Sequence, residues 1–441
     1  MFFMKLDSIL NITAELLDKA LSDRKTPENF ASVFFRKNKF IGSSERKLIS
    51  GLLFTSLRHY KTSLFFSDHY DIKNNPVIII KVSVLLSIEV YSTSVQETFS
   101  ALFKKAAGLK DLSYKTIFLN DLHISSKSIS KFKTLLDRQE LSSAEDFEKF
   151  YSLPYYIGKK LLHKYDGKTL RSIAYSTLNP ADVFIRPNNI KSSVPQISNE
   201  FQDHDVSHSV QNEPFFHIKL LNRKQLNHLK AYRNGEFEIQ DLSSQLVSGT
   251  IKWNENDDIL DACAGAGGKS LFLASSSLNK LNIYAYDINQ RKLKELEKRK
   301  EKTGSFSIHV LNRDELESKK FDTVIIDAPC SGSGTLSRNP ALKYKLNDKL
   351  LQNAQKLQID ILHDYSKYLK TGGILYYITC SVLPEENEEN IKLFLNDNPK
   401  FVPDLLDSDS IPNPENYYYH TILPEAGSGD GFFVAKLKKI K

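Results

Sequence analysis

From about residue 236 onward, apolar segments of strand length alternate with longer segments of helical period. This alternation predicts an α/β fold in which a doubly wound, Rossmann-like parallel sheet carries helices on both faces. The predicted strands are Ile259–Cys263, Asn282–Tyr286, Phe306–Leu311, Asp322–Ile326 and Ile374–Thr379. The predicted helices are Gly268–Leu278, Arg291–Lys302 and Asp348–Leu369, and Tyr417–Ile422 with Gly431–Leu437 is expected to form a closing antiparallel pair.

The first 140 residues follow a helical pattern, and glycine and proline are scarce there. Leu6, Leu10 and Leu17 suit one apolar helix face, and Ser43–Tyr60 predicts a second helix with a serine N-cap and Glu45 in its first turn. We therefore expect an all-α bundle over residues 1–140.

Residues 141–235 are interpreted as a linking region with a small subdomain, followed by the α/β domain over residues 236–441. Asp146–Ile185 predicts further helices, interrupted at Asn179–Pro180. Residues 192–212 are polar without a clear period, which predicts a surface loop or linker.

The chain contains three cysteines at wide spacing, which form neither a disulfide framework nor a metal-binding box, so no metal is expected. Low cysteine content fits a reducing cytosol, and Asp7 interrupts the N-terminus before a secretory core could form. No segment approaches the roughly 18–20 uninterrupted apolar residues of a membrane helix. We expect a cytoplasmic monomer without membrane contact.

Positive charge is unevenly distributed along a chain whose formal net charge is +7. Basic residues concentrate in Lys104–Lys133 and in Lys159–Lys191, and Tyr165 and Phe184 accompany the second stretch. Basic groups neutralise phosphates, and aromatic faces stack unpaired bases. Either stretch alone is more simply explained as a solvated surface. Two in succession beside a catalytic domain favour RNA or DNA as a partner.

All three cysteines lie at or just beyond the ends of predicted strands. Cys330 closes FDTVIIDAPC, Cys380 closes GGILYYITC, and Cys263 lies in DILDACAGAGGKS. Open α/β sheets bind ligands at the carboxyl ends of their strands, so neighbouring strands can bring Cys330, Cys380 and Asp327 into one crevice. A small buried hydrophobe is the preferred interpretation of Cys263. For the other two cysteines, which follow their strands, thiol chemistry is favoured.

The segment ILDACAGAGGKS predicts a strand, a glycine turn and the start of a helix. Glycines allow a tight turn and close approach to a ligand, and helix N-terminal amides add donors. Asp287 ends the next strand, where a carboxylate can accept both hydroxyls of a ribose. The run Gly265-Ala266-Gly267-Gly268 matches neither GxGxxG nor a P-loop, which favours S-adenosylmethionine over NAD or ATP. A tight turn without a ligand is the alternative.

Methylation of carbon 5 of a pyrimidine is a reaction that needs these groups. That carbon attacks a sulfonium methyl only after a thiolate has added to carbon 6, forming a covalent intermediate. Asp327 is suitably placed for the cytosine edge, a base removes the carbon-5 proton, and a second cysteine can assist release. Chemistry alone does not order Cys330 and Cys380.

The sequence resembles the Sun-type family of RNA cytosine-5 methyltransferases through DACAGAGGK, DAPCSGSG, TCSVLPEENEENI and DGFF. Together with shorter motifs that precede them in the chain, these motifs cover about residues 180–437. Within that family it is most similar to the bacterial subgroup that acts on 16S ribosomal RNA. FRKNKFIGSSERKLISGLLFTSLRHY is similar to the NusB-like helical RNA-binding domain of that subgroup. The resemblance implies an S-adenosylmethionine-dependent enzyme that makes 5-methylcytosine in small-subunit ribosomal RNA.

The resemblance also implies the roles of individual residues. Cys380 of the TCS motif would be the nucleophile, Cys330 would promote product release, and Asp327 would complete the catalytic set. The small subdomain would bind RNA through Arg186 and Asn188, with Lys191 beside them. The residues implied in cofactor binding are Cys263, Ala264, Gly265, Ala266, Gly267, Gly268, Lys269, Asp287, Asp314 and Asp327.

One departure from the family pattern lies in the cofactor loop, where Ala266 stands in place of the usual proline. The exchange makes the loop less rigid without removing its backbone donors, so activity is still expected. Two alternatives remain open, namely the same chemistry on tRNA or 23S ribosomal RNA, and a non-catalytic RNA-binding assembly factor.

Overall fold

The computed structural model describes residues 3–23, 26–92, 103, 106, 114–212, 217–222, 225–406, 411 and 417–441. The chain divides into two compact units. The first consists of Met1–Ala181 and Thr335–Asn347, and the second of Asp182–Gly334 and Asp348–Lys441. This division differs from the domain boundaries predicted at residues 140 and 235. The first unit continues to Ala181 and also includes Thr335–Asn347.

The described part of the first unit outside Thr335–Asn347 is helical, as the sequence predicts. A one-turn π-helix, Leu86–Val90, directly follows α4. The α-helices are α1 (Leu6–Ser22), α2 (Pro27–Lys37), α3 (Ser43–His69), α4 (Pro76–Leu85), α5 (Tyr114–Asp121), α6 (Ser126–Arg138), α7 (Ala144–Tyr151), α8 (Tyr155–Leu162) and α9 (Gly167–Ser176).

Helix α3 is the central element of this bundle and buries most of its length. Leu52, Leu53 and Leu57 are fully buried, and Gly42 rather than Ser43 caps the helix N-terminus. The lysine-rich stretch lies partly on α5 and α6, where Lys127 and Lys131 are exposed. Lys104, Lys105 and Lys110 lie outside the described residues.

The segment Thr335–Asn347 packs within the helical unit although it follows a loop of the α/β unit. Its 3-10 turn Pro340–Tyr344 places Lys343 and Tyr344 against α3, where they donate to the carbonyl oxygens of Arg58 and Leu57 at 3.3 and 2.7 Å. Arg58 returns a hydrogen bond of 2.9 Å to the carbonyl oxygen of Ser337. This segment is therefore a part of the helical bundle that is distant in sequence.

The second unit opens with a four-stranded antiparallel sheet that was not predicted. Its strands are β1 (Val183–Pro187), β2 (His208–Gln211), β3 (His217–Leu220) and β4 (Phe237–Ile239), in the order β2-β3-β1-β4. Helices α10 (Val194–Asp203) and α11 (Lys230–Asn234) accompany it. The prediction of a loop over residues 192–212 is therefore wrong, because α10 and β2 lie there. The prediction of helices over Asp146–Ile185 is wrong at its end, where β1 begins at Val183. The buried pair Ile197 and Phe201, four positions apart, gives α10 an apolar face amid polar residues.

The larger sheet confirms the predicted doubly wound fold. After α12 (Leu242–Gly249) the strands are β5 (Asp258–Asp261), β6 (Asn282–Ala285), β7 (Ile308–Val310), β8 (Phe321–Asp327), β9 (Leu369–Thr379), β10 (Phe401–Pro403), β11 (Tyr419–Ile422) and β12 (Phe432–Lys439). The helices between them are α13 (Gly268–Ser276), α14 (Gln290–Thr303), α15 (Arg313–Glu317), α16 (Asp348–Ser366) and α17 (Glu388–Asp397).

The strand order β10-β12-β9-β8-β5-β6-β7 places the predicted strands next to one another. Strands β9, β8, β5, β6 and β7 are parallel, and β12 pairs antiparallel with β9 as well as with β10 and β11. Val324 and Ile326 of β8 pack in one apolar cluster, and Ile325 packs in the other. Both faces of β8 are thus buried, as expected for a central parallel strand. No helix within the described residues is long and apolar enough to span a bilayer.

Candidate active site

The carboxyl ends of β5, β6, β8 and β9 carry the candidate site residues. Asp261 and Asp327 are the last residues of β5 and β8, and Cys380 directly follows β9. Asp287 follows β6 by two residues. Because these four strands are adjacent and parallel, their ends lie at one edge of the sheet.

The glycine loop after β5 adopts a conformation that requires glycine. Gly265 and Gly267 have φ angles of +56° and +85°, and a Cβ at Gly267 would come within 2.1 Å of Leu296. The amide of Gly267 donates to the carbonyl oxygen of Ala264 at 2.8 Å, which closes the turn, and α13 begins at Gly268. The loop therefore brings its backbone and a helix N-terminus to the strand ends.

Asp287 is the partner of this loop on the neighbouring strand. Its Oδ2 accepts from the amide of Gly265 at 2.8 Å, and its Oδ1 accepts from Asn289 at 2.7 Å. Ile288, the next residue, is 83% exposed and so offers an apolar surface beside the carboxylate. Asp314 lies farther along, exposed in the first turn of α15 after β7.

Asp261 is a site residue that the sequence analysis missed. It is buried, its Oδ2 accepts from Ser270 Oγ at 2.6 Å, and no described residue hydrogen-bonds its buried Oδ1. Burial raises the pKa of Asp261 to about 6, against the opposing effects of Ser270 and Lys269. The only sequence signal was its place as the last residue of β5, before the glycine loop.

Lys269 connects the loop to β8. Its Nζ lies 2.6 Å from Asp327 Oδ2, with 4% of the lysine side chain and 37% of the aspartate side chain exposed. The predicted cofactor residue Lys269 and the predicted catalytic residue Asp327 thus form one ion pair. Cys263 is partly buried, and burial followed by the charges of Asp261 and Asp327 raises the pKa of its thiol. This environment agrees with a structural role for Cys263.

Cys330 and Cys380 are adjacent, as the sequence analysis expected of neighbouring strand ends. Their Sγ atoms are 3.2 Å apart, and both residues are partly exposed. The amide of Gly334 donates to the carbonyl oxygen of Cys380 at 3.0 Å, and Ser333 Oγ lies 2.8 Å from Ser381 Oγ. The two cysteine loops are therefore joined by hydrogen bonds close to the thiols.

The small sheet supports the glycine loop from outside. Arg299 of α14 donates to the carbonyl oxygen of Ala266 at 2.6 Å and pairs with Glu238 of β4. Gln240 donates to the carbonyl oxygen of Gly268 at 3.3 Å and accepts from Arg186 at 2.7 Å. Glu238, Gln240 and Arg299 were not predicted as site residues, and Arg186 was predicted only for RNA binding, because this support depends on how β4 meets the loop.

The three residues predicted to bind RNA make internal contacts. Arg186 is buried, and burial lowers its pKa to about 10. Asn188 donates to the carbonyl oxygens of Gly235 and Thr303, each at 2.7 Å. Lys191 is exposed and donates to the carbonyl oxygens of Asn234 and Lys302. The structure thus shows structural roles for these residues, and RNA contact stays a prediction.

Comparison with known proteins agrees with this geometry. The sequence model of the family described as "16S rRNA methyltransferase RsmB/F" matches residues 249–438. These residues belong to that family. The chain is accordingly an RNA methyltransferase, with the methyltransferase fold preceded by a helical region.

Two curated relatives extend the comparison. The "Probable ribosomal RNA small subunit methyltransferase B" of Bacillus subtilis strain 168 is 26% identical to this chain, over 99% of the chain and 100% of the relative. The ribosomal RNA small subunit methyltransferase B of Proteus mirabilis strain HI4320 is 34% identical over 48% of each protein.

Solved structures agree in fold. The crystal structure of PH0851 has a TM-score of 0.70 at 22% identity and covers 100% of both chains. NSun6 from Pyrococcus horikoshii, solved with SFG, has a TM-score of 0.57 at 19% identity, over 68% of this chain and 98% of that protein.

Proposed function

We propose that this protein methylates carbon 5 of a cytosine in 16S ribosomal RNA, with S-adenosylmethionine as methyl donor and Cys380 as covalent nucleophile. The observation that carries the proposal is the pair of thiols 3.2 Å apart beside the Lys269–Asp327 ion pair. Methylation at an amino group needs no thiol, whereas carbon-5 methylation needs one to add, and a second thiol can assist its release. The names of the curated relatives support the ribosomal substrate.

The residues of the glycine loop fit S-adenosylmethionine. The buried, unpaired Oδ1 of Asp261 suits the ammonium group of a methionine moiety, and Asp287 suits a ribose. Ile288 offers an apolar face for an adenine ring, and Gly267 leaves space that a side chain would fill. When bound, the cofactor supplies an electrophilic methyl group.

The remaining steps are carried out by residues of the protein. The Cys380 thiolate adds to carbon 6, and the electron pair of the carbon 5–carbon 6 double bond becomes available at carbon 5. Asp327, held by Lys269, can accept a hydrogen bond from the cytosine amino group. Once carbon 5 is methylated, a base takes its proton, the double bond re-forms, and the bond from carbon 6 to Cys380 breaks with its electron pair returning to sulfur.

Cys330 is the thiol that we assign to the release step, as the family resemblance implies. Its hydrogen bond with Cys380, its burial and the negative charge nearby raise the pKa of its thiol well above the ordinary value. A thiol that keeps its proton is suited to protonate the departing Cys380 sulfur, which lies within hydrogen-bond distance. We therefore assign addition to Cys380 and release to Cys330.

The test is to change each cysteine separately. Cys380→Ala should abolish methyl transfer to 16S ribosomal RNA, whereas Cys330→Ala should accumulate a covalent protein–RNA adduct that is visible on a denaturing gel. Full turnover by Cys380→Ala would contradict the mechanism. Bisulfite sequencing of RNA from cells with and without the protein separates a 16S target from tRNA or 23S targets. Absence of S-adenosylmethionine binding by calorimetry would favour a non-catalytic assembly factor.

A further inference from the structure

Glu386 is a fully buried carboxylate that holds the Cys330 loop. It lies in the 3-10 turn Pro384–Glu386, and its Oε1 accepts from the amide of Ser331 at 2.7 Å and from Gln358 at 3.0 Å. Its Oε2 accepts from Ser331 Oγ. Gln358 of α16 also donates to the carbonyl oxygen of Pro329 at 2.9 Å. Residues on both sides of Cys330 are thus fixed by Glu386 and its neighbour Gln358.

Asn387, the next residue, does the same for Cys380. Its Oδ1 accepts from Thr379 Oγ1 at 2.6 Å, and its Nδ2 donates to the carbonyl oxygen of Ser381 at 2.9 Å. Asn387 is also fully buried. Two consecutive side chains therefore bracket the two cysteines, and this arrangement holds both loops in place around the thiols.

The bracket is chemically asymmetric, because Asn387 is neutral and Glu386 is an acid. Within the described part of the chain, Glu386 forms no ion pair, and its carboxylate oxygens accept only from Ser331 and Gln358. A negative charge in such a buried position opposes a second negative charge nearby. The titratable groups that interact with Cys330 are Cys380, Glu386 and Tyr377.

We propose that Glu386 is a positioning residue that fixes the Cys330 loop and, through its charge, gives the two cysteines their different roles. The inference rests on the proposed function and deepens it. With Glu386 in place, Cys330 holds its proton while Cys380 adds to the base. In the release step that proton passes to the Cys380 sulfur as its bond to carbon 6 breaks, which leaves Cys330 as the thiolate. A proton from solvent then restores Cys330.

The decisive experiment measures Cys330 itself. In the full chain with Cys380→Ser, alkylation of Cys330 by iodoacetamide is followed against pH by mass spectrometry of its peptide. Adding Glu386→Gln, which preserves shape, should lower the pH of half-maximal alkylation by about one unit or more, because a like charge has been removed. Glu389→Gln changes an exposed acid in the same motif and should leave the profile unchanged.

A second variant keeps the inference testable if Glu386→Gln does not fold. Ser331→Ala removes one donor that compensates the carboxylate while leaving its charge in place, and should shift the profile in the opposite direction by a smaller amount. In the chain with native cysteines, Glu386→Gln should lower kcat about tenfold and accumulate the covalent adduct, with unchanged cofactor affinity. An unchanged alkylation profile in both folded variants would overturn the inference.

Failure of the proposed function has a different signature. If the wild-type protein methylated no RNA, the function would be wrong whatever the alkylation profiles showed. If it methylated RNA and neither Glu386→Gln nor Ser331→Ala moved the Cys330 profile, only the role of Glu386 would be wrong.

Discussion

Three aspartates at the ends of adjacent strands meet very different surroundings. Asp261 is 1% exposed and has one unpaired oxygen, whereas Asp327 keeps 37% of its side chain exposed and pairs with Lys269. Each carboxylate oxygen of Asp287 accepts a hydrogen bond from a backbone amide of the loops around it. The same residue type can therefore bind a cation, orient a base edge or shape a turn, according to burial and partners.

The raised pKa of Asp261 predicts a pH dependence of cofactor binding. Its ionised form would bind the ammonium group, so affinity should fall as pH decreases through about 6, by up to tenfold per unit below it. Calorimetric titration with S-adenosylhomocysteine between pH 5 and 8 measures this fall. Asp261→Asn should bind about tenfold more weakly at pH 8 and lose the dependence, since the isosteric amide does not titrate. A pH dependence that persists in Asp261→Asn would assign it to another group.

The positions of candidate site residues could be predicted from sequence where they depend on where a strand ends. Cys330, Cys380 and Asp327 were placed correctly because the apolar period shows where each strand ends. Glu386 and Asp261 were missed because their roles come from burial and from partners distant in the chain. Glu386, for example, accepts a hydrogen bond from the amide of Ser331, which lies 55 residues away in the chain.

At the scale of elements, the strands that alternate with helices in the larger sheet were predictable and the small sheet was not. Strands β5, β6 and β7 are as short as β1 to β4, but the regular alternation of strand and helix around them shows where they lie, and β1 to β4 lack that regular spacing. Yet β4 supplies Glu238, the partner through which Arg299 is held against the Ala266 carbonyl oxygen. The support of the glycine loop thus comes from the element that was hardest to predict.

This support predicts a role for α14 and β4 in cofactor affinity. The paired change Glu238→Gln with Arg299→Met removes the hydrogen bond to Ala266 without leaving a buried charge alone. We expect cofactor affinity to fall about tenfold, since a hydrogen bond from a charged group contributes roughly 1.5–3 kcal/mol. Calorimetry with S-adenosylhomocysteine measures the effect. Lys298→Met, which changes an exposed neighbour on the same helix, should bind normally, and equal affinity of the two variants would contradict the role.

At the scale of the whole molecule, the net charge of +7 suits a polyanionic partner, and three of the basic side chains line one groove. An open groove of about 500 Å³ on α6 is lined by Lys127, Ser130, Lys131, Thr134, Leu135 and Arg138. Its three basic side chains are exposed, and within the described residues none of the three forms an ion pair. Such groups are available to phosphates.

The groove predicts a measurable share of RNA affinity. Replacing Lys127, Lys131 and Arg138 together by alanine should weaken binding to 16S ribosomal RNA and reduce the slope of log K against log salt by about 2, as expected for three lost contacts with single-stranded phosphates. Filter binding across a salt series measures both. Lys133→Ala, on the same helix outside the groove, serves as control, and an unchanged slope in the triple variant would place RNA elsewhere.

The path of the chain between its two units also constrains how the protein can be divided. Because Thr335–Asn347 belongs to the helical unit, the backbone passes between units at three places, after residues 181, 334 and 347. An expression fragment that begins at residue 182 would carry this segment without α3, and so expose Leu336 and Ala341, each 2% exposed in the intact chain. The helical fragment would in turn lack the peptide that covers part of its core. A split-protein complementation or domain-swap experiment would therefore have to move residues 335–347 together with the N-terminal fragment.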